Sequence, residues 1–277
     1  MRMLRIMVFL LIVVLCGALD IVMHMAAGDL MPLPPEFSAL VNRFGFGPVV
    51  SVWIALAFTG MGLLFLFWAR RMAGTGRNKG LRYGLALGLV ILFAMFEGVG
   101  LLGTPLIGEA VMGLADAVPI ALMIVLLGWT LAADSEGAPR RAGLSVWPAL
   151  IVFALSHGLG RTLVQVLGII DSGLVERLLP SLLWPFAMGV AVGVLYLAVT
   201  DAMRGMSRAV AALAFGVGIF GANWVLFMAF VPMVFPDAVL DSILRVGIDI
   251  LLVTAASLIV GNLLRRGHER DVVANGR

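Results

Sequence analysis

Eight ionisable side chains lie inside long apolar runs of this sequence: Asp20, His24, Glu97, Asp116, His157, Arg161, Arg245 and Asp249. In the pairs Asp20/His24, His157/Arg161 and Arg245/Asp249 the members stand four residues apart, which on a helix puts them on one face. A carboxylate beside an imidazole or a guanidinium keeps its charge at lower cost, and such a pair can hold or pass a proton near neutral pH. A lone charge near mid-bilayer costs on the order of 3 kcal/mol or more, so each of these residues calls for a partner, a cavity or a function. Asp116 and Arg245, close to the ends of their runs, read as structural ion pairs. Asp20, His24, Glu97, His157, Arg161 and Asp249 read as the lining of one pocket. Asn223, beside Trp224, is placed with them as polar lining, at roughly the position Glu97 holds in the other half of the chain. Its structural alternative is an interhelical hydrogen bond.

The elements that must carry these residues follow from composition. The 277 residues are 62% hydrophobic and 13% charged, against roughly a quarter charged in a soluble domain, which excludes a water-soluble globule. Apolar runs bounded by charge or by Pro and Gly predict eight spans, at 4–27, 48–69, 82–103, 110–133, 147–170, 178–200, 208–234 and 241–264. All should be helices, because an open sheet cannot satisfy its backbone in lipid and the alternation of a barrel strand is absent. The fold class expected is an all-α integral membrane protein. Its first half would cover residues 1–134, a linker 135–142, and its second half 143–277, all within one membrane domain. The segment at Met1–Leu19 also resembles a secretory signal peptide, whose cleavage near Ala27 would leave seven spans.

Orientation follows from the basic residues. Fifteen of the nineteen Lys and Arg residues lie on alternate connections and the two tails: Arg2, Arg5, Arg70, Arg71, Arg77, Lys79, Arg82, Arg140, Arg141, Arg204, Arg208, Arg265, Arg266, Arg270 and Arg277. The other connections hold Arg43 and Arg177. This asymmetry puts both termini in the cytoplasm of a bacterial-type inner membrane. It accounts for the basic balance without nucleic acid, leaving the lipid bilayer and a small solute as the expected partners. With that orientation all eight ionisable residues fall between the mid-plane and the outer surface, over cytoplasmic halves nearly bare of charge.

Laid over each other, the two halves share a layout, with Leu11–Val14 against Leu150–Phe153 and Pro105…Glu109-Ala110-Val111 against Pro232…Asp237-Ala238-Val239. Four spans against four predict a parallel 4+4 internal repeat about an axis along the membrane normal. Gly80, Gly84 and Gly88, then Gly189 and Gly193, then Gly216, Gly218 and Gly221 mark close helix packing. Pro119, Pro185 and Pro232 should kink their helices, and Glu97-Gly98-Val99-Gly100 has the composition of a locally unwound segment.

No zinc-protease helix, phosphate loop or nucleophile elbow is present, and Lys79, the only lysine, is expected in a connection, so no metal site and no familiar catalytic template are expected. The leading expectation is a transporter-type protein binding a small, anionic or protonatable solute in an outer pocket built by spans one, three, five and eight. There Arg161 would clamp an anion, while Asp20, Glu97 and Asp249 would carry a proton or cation. Two alternatives stand beside it: a redox protein holding one b-type haem between His24 and His157, and a non-catalytic sensor or subunit of a membrane complex.

Overall fold

The computed structural model describes residues 2–30, 36–135 and 146–275, with side chains at 3–28, 30, 36–135 and 146–263. The proline loop at Pro32, Pro34 and Pro35, the linker residues Arg140 and Arg141, and the side chains of Arg2, Arg265, Arg266, Arg270 and Arg277 lie outside these. Eight helices are long and apolar enough to cross a membrane: α1 Met3–Ala27, α2 Phe46–Ala69, α3 Gly76–Leu101, α4 Leu106–Thr130, α5 Val146–Val166, α6 Leu178–Met203, α7 Arg208–Val234 and α8 Val239–Leu263. Among the described residues there is no strand, only an isolated bridge between Gly74 and Ser135. Large apolar side chains such as Leu63, Phe67, Leu85, Ile151, Leu183 and Leu251 are exposed around the bundle, a surface suited to hydrocarbon rather than water. The protein is an all-helical, multi-pass membrane protein.

Of the boundaries that differ from expectation, two move a charge into a helix. Thr75 caps α3, its hydroxyl accepting from the Asn78 amide at 3.3 Å, so the helix starts at Gly76 rather than near residue 82. Lys79 therefore sits in the first turn of α3 and not in a connection. It is 1% exposed and its Nζ donates to the Ala133 carbonyl at 2.8 Å. Likewise α4 begins at Leu106, which places Glu109 inside the helix and 2% exposed, with the Thr104 hydroxyl donating to it.

The strongest packing joins α3 to α4 and α5 to α6, with α1 against α4, α5 against α8, α3 against α6 and α2 against α7. The α3–α4 seam is built on glycine. A Cβ on Gly80 would lie 3.0 Å from the Gly128 Cα, one on Gly84 2.8 Å from the Ala121 carbonyl oxygen, and one on Gly88 3.1 Å from that of Ala117. These small residues let the backbones touch where lipid supplies no hydrophobic drive. Gly189 is pressed against Phe153 and Ala154 of α5 in the same way.

Two spans are interrupted. Helix α3 breaks at Phe96 and resumes as Glu97–Leu101, and α7 breaks at Ala229 and resumes as Phe230–Val234. Pro232 lacks an N–H and crowds the turn before it, which accounts for the second break. At the first, Gly98 and Gly100 leave no Cβ where Glu109 and Ser181 press in. The unwinding expected at residues 97–100 is thus a break just before them. Helix α7 also carries a π-helical stretch, Ala214–Gly221, which ends just before Asn223.

Candidate functional site

The face bearing the 36–45, 102–105, 167–177 and 235–238 connections carries the ionisable residues, and the structure divides them into two clusters rather than one pocket.

The larger cluster is built on Asp249 of α8, which is 0% exposed. Arg161 of α5 forks onto it, Nε to Oδ1 at 2.8 Å and Nη2 to Oδ2 at 3.1 Å, the planar bidentate geometry of a guanidinium on a carboxylate. His157, one turn before Arg161, brings Nε2 to 3.1 Å of Oδ1 while its Nδ1 donates to the Pro185 carbonyl at 2.8 Å. Trp224 of α7 donates to Oδ2 at 3.0 Å. A carboxylate held by a bidentate guanidinium and an indole N–H, with an imidazole nitrogen beside it, has its desolvation offset in a dry interior, which a single partner would not achieve. Arg161 also stands over the Trp184 ring at 5.2 Å, a cation–π contact that covers its other face.

A second carboxylate extends the network. Glu97, at the break in α3, lies 3.4 Å from Arg161 Nη2 and accepts from Arg245 Nη1 at 2.7 Å. Arg245 pairs in turn with Asp241 one turn earlier on α8 and donates to the Asp171 carbonyl at 2.6 Å. Although spaced i,i+4, Arg245 and Asp249 do not pair with each other; Arg245 bonds Glu97 directly, and Asp249 is joined to Glu97 through Arg161. Arg245, expected as a structural ion-pair residue, has carboxylate partners on another helix, Glu97, and on its own, Asp241. Arg177 donates to the carbonyls of Gly100 and Leu101, each at 2.7 Å, holding the end of α3 against the network.

Beside it lies a cavity of about 10 Å³, lined by Glu97, Gln165, Ser172, Ser181, Trp184 and Arg245 among others, the space of one water. Two of the lining residues carry buried polar atoms without partners among the described residues, Gln165 Oε1 and Ser181 Oγ, and so does Arg161 Nη1 in the neighbouring network.

The smaller cluster joins α1 to α4. His24 lies one turn beyond Asp20, with Nδ1 3.5 Å from Asp20 Oδ2 and Nε2 3.7 Å from Asp116 Oδ1. No hydrogen bond or ion pair among the described residues links it to the Asp249 network. The two histidines expected to share a haem therefore stand in different clusters with no common partner, and both ring nitrogens of His157 are already engaged.

Asn223 belongs to neither cluster. It donates to the Tyr83 hydroxyl at 2.9 Å and to the Ile219 carbonyl at 2.7 Å, tying α7 to α3 as the interhelical hydrogen bond of its structural alternative. The opposite face has a polar knot of its own: Asp201 accepts from Arg82 at 3.0 Å and from the Ala73 amide at 2.9 Å, and Asp134 accepts from the Gly76 amide at 2.7 Å.

Sequence reasoning missed Asp241, Glu109, Trp224, Trp184, Gln165 and Ser181. Asp241 repeats the i,i+4 spacing and was recoverable from it. The tryptophans, Gln165 and Ser181 carry no local signal, because only the packing sets the Trp224 N–H on Asp249, the Trp184 ring under Arg161, and Gln165 and Ser181 along the cavity. Compared with protein-family models, with curated proteins and with solved structures, the chain has no match.

Proposed function

We propose that the protein is a transporter-type inner-membrane protein whose solute site is the seam where Glu97 of the first half meets Arg161 and Arg245 of the second. The observation that carries this reading is the meeting of a buried, charge-dense network, a cavity with unpartnered polar atoms and a broken helix at one place. Discontinuous helices at a repeat interface are the usual site architecture of secondary transporters. Arg161, Arg245, Gln165 and Ser181 suit a small anion. A cavity the size of one water admits a solute only by opening, and the short helix Glu97–Leu101 is the segment placed to move.

A parallel 4+4 repeat supports the same reading. One sequence interval separates Phe96 from Ala229 at the two helix breaks, His24 from His157, Asp116 from Asp249, and Phe93 from Leu226. The carbonyls of Phe93 and Leu226 each accept a tryptophan N–H from the other half, from Trp184 at 2.6 Å and Trp53 at 3.1 Å. This register pairs Glu97 with Phe230 and Asn223 with Val90, so Asn223 is not the counterpart of Glu97. The short matches at Leu11–Val14 and Pro105–Val111 fall outside it. The arginine-rich face would be cytoplasmic, with both termini there.

The test is uptake of a panel of small labelled carboxylates and phosphates into proteoliposomes under an imposed proton gradient. Saturable flux of one anion, lost in Arg161→Gln and Glu97→Gln, is expected. Flux that is equal in wild type and both variants overturns the assignment.

A further inference from the structure

The unexplained chemistry lies in the smaller cluster. Asp20 is 1% and Asp116 4% exposed, yet among the described residues neither carboxylate accepts a hydrogen bond, and Asp20 Oδ1 is buried without a partner among them. His24 Nδ1 is 3.0 Å from the Asp20 carbonyl oxygen. A carbonyl only accepts, so Nδ1 is the donor in that contact, and Nε2 is the nitrogen that faces Asp116. That second-side hydrogen bond is the arrangement that orients a metal-binding imidazole. One atom from each of the three residues lies within 4.8 Å of the others, a spread that closes onto a common ion with bonds of about 2.0–2.2 Å after small side-chain shifts.

The second half shows what is missing. His157 and Asp249 stand at the same interval from each other as His24 and Asp116, and there Arg161 supplies the positive charge. The residue at Arg161's place in the first half is Gly28, and Asp20 adds a further negative group where the second half has Phe153. Two carboxylates and one neutral imidazole are balanced by a charge of two.

We propose that Asp20, His24 and Asp116 bind one divalent transition-metal ion of the zinc class, which joins α1 to α4 as Arg161 joins α5 to α8. Imidazole with carboxylates selects such an ion over magnesium or calcium, which favour all-oxygen sites. The His24 side chain, 29% exposed, gives the ion a route from the membrane face.

Chelator-stripped protein in detergent is titrated with Zn²⁺ by calorimetry and with Co²⁺ by visible absorption. One ion per chain is expected, with affinity lowered at least about a hundredfold in the isosteric variants Asp20→Asn and Asp116→Asn. His24→Cys should add a thiolate-to-cobalt charge-transfer band, which reports ligation directly if another variant fails to fold. Absence of saturable binding, binding undiminished in Asp20→Asn/Asp116→Asn, or a His24→Cys protein without the new band each overturns the site. The readout is binding alone, so its outcome is independent of the transport assay.

Discussion

Arg161 and Asp241 mark the buried and the water-screened ends of one charge network. Arg161 is 0% exposed and engages Asp249 through two nitrogens, so removing one partner leaves the other stranded in a low-dielectric interior. Arg161→Met is expected to destabilise the protein by about 3–5 kcal/mol, seen as a fall in Tm in detergent. Arg161→Met/Asp249→Leu should recover most of that loss, because no charge then remains unpaired. Asp241, whose side chain is 36% exposed, gives the opposite case. Asp241→Asn should cost less than about 1 kcal/mol, since water already screens that end of the network. If the two single substitutions lowered Tm equally, the network would not be buried as described.

At the scale of elements, glycine decides how near α3 and α4 come, and helix breaks decide where polar groups gather. A Cβ on Gly128 would lie 2.6 Å from the Gly80 Cα and 2.7 Å from the Gly76 carbonyl oxygen, backbone atoms that cannot step aside, whereas one on Gly247 meets nothing within 4 Å. Gly128→Ala should therefore destabilise by about 1–3 kcal/mol through overpacking. Gly247→Ala should be neutral or stabilise by up to about 1 kcal/mol, the ordinary helix preference for alanine. Thermal melts of the two variants side by side measure the difference, and equal Tm values would mean the seam is not closed. Trp184 and Trp53 each donate to a carbonyl in the last turn before a break, where the helical ladder runs out of amide donors. Trp184→Phe should cost about 1–2 kcal/mol for the carbonyl left without a donor, and Trp53→Phe a comparable amount.

For the whole molecule, the charge asymmetry makes a prediction about sides. In a Cys16→Ala background, cysteines at the exposed positions Asn78 and Ser207 should be protected from an impermeant thiol reagent in intact spheroplasts, while those at Glu36 and Val175 should react. The reverse pattern would invert the topology and move the Asp249 and Asp20 clusters to the cytoplasmic side.

The eight spans, their order and the glycine seams were legible in the amino-acid sequence because each depends on local composition: an apolar run long enough for hydrocarbon, charge at its ends, small residues one turn apart. The presence of Asp20, His24, Glu97, His157, Arg161 and Asp249 within those runs was legible for the same reason. Their division into two clusters was not. Helical spacing determines neighbours only within a turn or so on one face, which is why Asp20/His24 was readable and Arg245/Asp249 misled. Asp116 reaches His24 from α4, Glu97 reaches Arg161 from α3, and Trp224 reaches Asp249 from α7. Only tertiary packing decides which faces meet, and a buried charge takes the partner that packing brings within hydrogen-bond distance.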